Sequence, residues 1–222
     1  MTDKAVVLIG KIKLKNPLIC ASGEHVMDRN GIRAALKSGV AAVVAKSTNE
    51  TVAAREQIKK ADYLLLDENW QAVHADSANV RAATFICRSG LTPQSFEEWL
   101  AMVVEMDKEA QEYGAFVIAS IVLADLDAAV SMSQQIEQAG VRILELNVGT
   151  PYGDEVEDDC VPTERSSDRI ETIVSRVRKA ITIPLWVKIT GQSEHVDQLV
   201  LAARRAGADS VVVPGRFMGM IP

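Results

Sequence analysis

The chain has 222 residues, 48% of them hydrophobic, which allows a sizeable buried core and excludes a disordered or fibrous protein. Its 24 Lys and Arg against 30 Asp and Glu give a net charge of -6, and no basic stripe runs along it, so no nucleic-acid partner is expected. No apolar run approaches the roughly 20 residues of a membrane span and no signal-peptide core opens the chain, so no membrane and a cytoplasmic location are expected; Cys20, Cys87 and Cys160 form no CxxC and indicate neither a disulfide framework nor a metal site.

Strand and helix patterns alternate as repeated βα units. A hairpin is expected first (Val6 to Leu8, Ile12 to Leu14), then a strand Leu18 to Ala21 and a helix from about Asn30 with Ile32, Ala35 and Leu36 on one face, stopping at Gly39. Val40 to Ala45, wholly apolar, suits a parallel strand covered on both faces, and it ends at Lys46. The stretch 49–85 breaks the rhythm and reads as an inserted excursion over the mouth of the fold, where substrate contacts often sit.

Order resumes with Thr92-Pro93 as a helix start, and Phe96, Trp99, Leu100 and Val103 fall on one buried face. Ala115 to Ile121 is the third strand, followed by a helix from about Asp125 to Gln138. Strand four is Val141 to Leu146, with a helix after it carrying Ile170, Ile173, Val174 and Val177. Pro184 to Ile189 is strand five, Val196, Leu199, Val200 and Ala203 line the next helix, and Ser210 to Val213 is strand six. Six such units do not close an eight-stranded barrel. The expected fold class is therefore α/β, an incomplete TIM (β/α)8-type barrel in a single domain over 1–222, lacking about two units or on the order of 60 to 90 residues. The competing expectation is a complete six-stranded doubly wound sheet.

Several strands end in polar residues: Ala21-Ser22-Gly23, Ala45-Lys46-Ser47, Glu145-Leu146-Asn147 and Val187-Lys188. In a parallel barrel these ends converge on one mouth, where active sites are built. Taken with Lys15-Asn16-Pro17-Leu18, Thr48 after Ser47, Arg88-Ser89-Gly90-Leu91, Thr150-Pro151 and Pro184-Leu185-Trp186, the succession resembles the dihydroorotate dehydrogenase family over most of the chain.

The resemblance implies an FMN-dependent barrel of pyrimidine metabolism, passing two electrons between the flavin and a dihydropyrimidine-like cyclic amide. It implies FMN contacts from Ala21, Ser22, Gly23, Lys46, Ser47, Asn147 and Lys188, with Lys188 stabilising negative charge on the reduced ring. Lys46 would reach both flavin and substrate, and the Asn147 amide would hold the substrate. Thr150 takes the place of the family's proton-abstracting Cys or Ser, and a hydroxyl there needs a neighbour to accept its proton. The FMN phosphate in such barrels sits on loops after strands seven and eight. A homo-oligomer is expected, and electron delivery would call for a partner subunit.

The departures from the family pattern are Cys87 before Arg88-Ser89-Gly90-Leu91, Tyr152 after Pro151, and Gly215-Arg216 after strand six. Of the family's substrate-holding asparagines only Asn147 remains, which argues against dihydroorotate itself, since a buried imide left unpaired costs about 1 to 3 kcal/mol per bond. Arg88 and Arg216 are candidates to grip an anion. The acidic run Asp154 to Asp159 matches no calcium loop and reads as a solvated stretch beside the site, which the resemblance makes a lid, and His25 is placed to face the pocket. The residues leave two other functions open: a lysine-dependent barrel lyase using Lys46 or Lys188, and a catalytically silent barrel fragment or subunit.

Overall fold

The computed structural model describes residues 5–74, 76, 83–149 and 164–214. Strands β1 (Val7–Ile9) and β2 (Ile12–Leu14) form an antiparallel hairpin that turns at Gly10, whose φ of 56° is in the left-handed region. Next come β3 (Ile19–Cys20), a 3-10 turn at Glu24–Val26, α1 (Arg29–Lys37) and β4 (Ala42–Val44). The stretch read as an excursion carries α2 (Val52–Glu56), a 3-10 turn at Gln57–Lys60 and β5 (Asp62–Leu66). The antiparallel partner of β5, β6, runs Thr84–Arg88, past the expected boundary. The remaining elements are α3 (Phe96–Ala110), β7 (Phe116–Val122), α4 (Leu126–Gln138), β8 (Leu144–Asn147), α5 (Ser167–Ala180), β9 (Leu185–Lys188), α6 (Val196–Arg205) and β10 (Ser210–Val212).

Local chemistry explains where the helices begin. Asp28, Asp125 and Ser166 cap α1, α4 and α5, each accepting a backbone N–H of the first turn. The start of α3 differs from expectation. Ser95, not Thr92-Pro93, is its cap: Ser95 Oγ accepts from Glu98 N while the Glu98 carboxylate accepts from Ser95 N. Thr92 N–H is already committed to Ser47 O, at 2.9 Å, and so holds the preceding loop against β4 instead of opening the helix.

Six strands form one parallel sheet in the order β3-β4-β7-β8-β9-β10. The order follows the chain without reversal, whereas a doubly wound sheet needs a switch point where the order turns back. The alternative architecture is thereby excluded, and the sheet is a curled half-barrel. Val43, Val117, Ala119, Ile121, Leu144, Leu146 and Val187 face outward and pack with Ile32, Leu36, Trp99, Val103, Ile136, Ile173 and Leu199 of the helices. The intervening residues Ala42, Val44, Ile118 and Trp186, with Ile143, face inward and meet Leu14 of the hairpin. The hairpin thus closes the inner face from the amino-terminal side.

Both faces of the central strands are covered, which is why β4 reads as an unbroken apolar run and six of the seven β7 residues are buried. The β5–β6 pair stands apart as its own sheet, with Tyr63 and Phe85 stacked at 5.9 Å on an exposed surface. No helix among the described residues is long and apolar enough to cross a membrane.

Candidate active site

The alternation that puts Val44 and Ile118 on the inner face carries on toward the carboxyl ends of the strands, where the inward positions turn polar. Ser120 on β7, Glu145 and Asn147 on β8, and Lys188 on β9 continue the inner series, while Lys46 and Ser47 follow β4 after Ala45. Asn147 and Lys188 are neighbours in the ladder. The structure therefore brings Lys46, Ser47, Asn147 and Lys188 to one end of the sheet, together with Ser22 after β3.

A chain of hydroxyls links these ends. Ser22 Oγ is 3.2 Å from Ser47 Oγ and accepts from Ser47 N; Ser47 Oγ lies 2.8 Å from Ser120 Oγ; Ser120 Oγ donates to Glu145 Oε1 at 2.9 Å. Ser47, Ser120 and Glu145 are all buried. Burial pushes the Glu145 carboxyl above its ordinary range, opposed by the nearby Lys188 charge and the Ser120 hydrogen bond.

Lys46 is fixed from three directions. Its N–H donates to Val26 O at 3.1 Å, and its carbonyl accepts Trp99 Nε1 at 2.8 Å, so the backbone is pinned between the turn before α1 and the buried face of α3. Its ammonium donates to Glu24 Oε1 and to Ser89 Oγ, each at 3.1 Å, and Ser89 Oγ donates to the same Glu24 oxygen. One ion pair and one hydroxyl thus tie together the segments after β3, β4 and β6.

The other expected residues fall as follows. Ala21 is exposed, and Gly23 lies against the His25 ring, where a Cβ would come within 2.8 Å of it. His25 is itself exposed and turns Nε2 toward Cys20 Sγ at 3.2 Å. Cys87 is half-buried on β6 opposite Tyr63, and Arg88 ends that strand. Gly90 and Leu91 are buried: Leu91 N–H donates to Ala54 O, and a Cβ on Gly90 would sit 2.3 Å from Ile58 N. Gly90 and Leu91 therefore seat the loop against α2 and the turn after it, while Ser89 reaches Lys46. Asn147 accepts Gly149 N–H on its Oδ1 at 3.0 Å, which shapes the turn after β8. Thr150, Tyr152, Gly215, Arg216 and the acidic run lie outside the described residues.

Three participants escaped the sequence reading. Glu24 is visible only as a lone carboxylate just after Ala21-Ser22-Gly23, Ser120 only as a single polar residue inside an apolar run, and Glu145 only as a neighbour of Asn147. The inward parity of β7 and β8 is the signal that would have found the last two.

No family model matches the sequence. Among curated proteins, the chain is 25% identical over 214 residues to the catalytic subunit of dihydroorotate dehydrogenase B (NAD(+)) of Thermoplasma acidophilum, covering 94% of this chain and 61% of that protein. The corresponding subunit of Methanocella arvoryzae is 27% identical over 212 residues, 95% of this chain and 62% of its own length. Chloroplastic dihydropyrimidine dehydrogenase (NADP(+)) of Arabidopsis thaliana is 17% identical over 217 residues, covering 97% and 49%. The chain therefore spans about three fifths of the first two relatives and half of the third. Over more than nine tenths of its length the chain is thus similar to dihydroorotate dehydrogenase B catalytic subunits and to a dihydropyrimidine dehydrogenase, a likeness that supports a dihydroorotate dehydrogenase-like family.

Proposed function

We propose that the chain is an FMN-dependent oxidoreductase acting on a CH–CH bond of a dihydropyrimidine-like cyclic amide other than dihydroorotate. The observation that carries this reading is the adjacency of Asn147 and Lys188 across β8 and β9, at the sheet end where Ser22, Lys46 and Ser47 also gather. An ammonium beside an amide is a donor set that suits the polar edge of a flavin ring. Thr48 Oγ1 and Asn49 Nδ2, buried just beyond β4 with no hydrogen-bond partner among the described residues, add polar capacity there.

FMN, when bound, supplies the hydride chemistry. Lys188 places positive charge where negative charge develops. Asn147 offers both a donor and an acceptor to the amide of the substrate. Ala21, Ser22, Gly23 and Ser47 line the flavin side. Cys87, Arg88, Ser89, Gly90, Leu91, Tyr152, Gly215 and Arg216 belong to the substrate side. Thr150 takes the proton from the substrate carbon next to the one that loses hydride, and passes it to a polar neighbour. The relatives named as catalytic subunits support an electron-transfer partner subunit for this chain, and we propose a homo-oligomer as its assembled form.

The test is the visible spectrum of the purified chain after incubation with FMN and desalting, followed by anaerobic addition of a dihydropyrimidine. Retained flavin absorbance that bleaches on addition is expected. A chain that neither retains flavin nor quenches its fluorescence at saturating FMN overturns the reading.

A further inference from the structure

We infer that Glu24 sets the charge class of the substrate: by pairing with Lys46 inside the protein, it reserves the pocket for an uncharged cyclic amide and turns away a ring that bears a carboxylate. This rests on the function proposed above and assigns its substrate selectivity to a residue outside the catalytic set.

The argument begins with the state of Lys46. Its side chain is only 6% exposed, and an ammonium taken out of water to that degree requires an anionic or strongly accepting partner. In a pocket lacking an internal carboxylate, that partner would be the substrate, and a ring carboxylate would be the natural ligand. Here the role is filled: Glu24 Oε1 is 3.1 Å from Lys46 Nζ, and Ser89 Oγ closes the triangle by accepting from Lys46 and donating to the same Glu24 oxygen.

Within the described pair, the Lys46 charge is met by that of Glu24. Glu24 remains 33% exposed while Lys46 is 6% exposed, so of the two charges the carboxylate is the one nearer to solvent. An incoming carboxylate would meet negative charge before it met the ammonium, and like charges set side by side in a binding site are strongly disfavoured. A neutral amide meets no such opposition. The three segments joined by the triangle, after β3, β4 and β6, hold Glu24 in this position. The relatives include both a dehydrogenase named for dihydroorotate, a ring carrying a carboxylate, and one named for dihydropyrimidine. On this inference the present chain falls with the second kind, through Glu24.

The experiment is calorimetric titration of the full chain, with FMN in excess, using orotate and uracil as probes; the two rings differ by the carboxylate. The wild type is expected to bind uracil more tightly than orotate. Glu24→Gln is expected to tighten orotate about tenfold or more, with uracil held within about a factor of two. The double variant Glu24→Gln with Lys46→Met strands no buried charge, so it tests the same point should the single variant fail to fold, and it is expected to narrow the gap between the probes. Equal binding of the two rings by the wild type, or an unchanged preference in a folded variant, overturns the inference and leaves the proposed function standing; wild-type preference for orotate overturns the inference and, of the proposed function, the exclusion of dihydroorotate, while the flavin oxidoreductase reading stands. Binding of neither probe by a chain that holds FMN removes the pyrimidine reading and this inference with it.

Discussion

Asp107 and Arg142 form a two-pronged ion pair between α3 and the start of β8, with Nη2 2.6 Å from Oδ1 and Nε 2.8 Å from Oδ2. Oδ1 also accepts Val117 N–H, Nη2 also donates to Ala115 O, and the guanidinium lies 4.3 Å from the centre of the Phe116 ring. Asp107 is 2% exposed, so removing its carboxylate leaves both a cation and a backbone N–H without their partner. Asp107→Ala is expected to cost roughly 3–5 kcal/mol, as breaking a buried pair does. Urea denaturation measures it, and a cost near that of an exposed pair would show that the helix is anchored elsewhere.

Glu145 gives the pH prediction. Its folded pKa is raised by burial, so between the ordinary carboxylate range and that higher value the unfolded chain ionises while the folded chain keeps its proton. The folded state then binds more protons, and this group makes stability fall as pH rises. Glu145→Gln removes the effect. Measured by urea denaturation from about pH 4 to pH 8, the variant is expected to gain stability relative to the wild type as pH increases; a constant difference across that range would show that Glu145 is ionised in the fold.

Gly149 follows Asn147, and its α-carbon lies so close to the β9 exit that a Cβ would sit 2.2 Å from Ile189 C and 2.3 Å from Thr190 N. The obstacle is backbone and cannot swing aside. Gly149→Ala is expected to push the two strand ends apart and to destabilise by about 1–3 kcal/mol, the usual range for overpacking. A thermal melt reads the stability, and flavin titration is expected to weaken in parallel because Asn147 and Lys188 flank the displaced turn.

Lys188 is the residue proposed to stabilise negative charge on the bound ring. Lys188→Met keeps most of the apolar stem and deletes the charge, so rates of flavin reduction by a dihydropyrimidine are expected to fall about 10²-fold or more, the scale seen when one such stabilising group is removed. Stopped-flow bleaching measures this. A rate within a few-fold of the wild type would assign the charge to another residue.

The sheet was legible because its strands are covered on both faces and separated by helices with clear caps and glycine stops. Val40 to Ala45 contains the observed β4, and the spacing of Ile170, Ile173, Val174 and Val177 marks the buried face of α5. The lysines, serines and Asn147 were legible because a parallel strand that turns polar at its last residue announces its end. Partnership was not. Nothing in the local pattern says that Glu24 turns back onto Lys46, or that Ser120 completes a path from Ser47 to Glu145, because both are contacts between separate βα units fixed by sheet register. The start of α3 was misread for a related reason: Thr92-Pro93 is a sound local signal, but the Thr92 amide is claimed by Ser47 O.

The strand order carries a consequence for how the chain reaches its fold. β3 joins β4 across one short helix, and β7 joins β8 and β9 joins β10 in the same way, so these pairings close small loops and can form early. Only the β4–β7 ladder, Ala42 to Val44 against Phe116 to Ile118, must wait for everything between Ala45 and Ala115 to be laid down. Trp99, gripping the Lys46 carbonyl from α3, spans the same seam. Mutations at this seam are therefore expected to slow refolding, whereas those within either group of strands should mainly hasten unfolding, so the last contacts to form in time are the ones that set Lys46 in place.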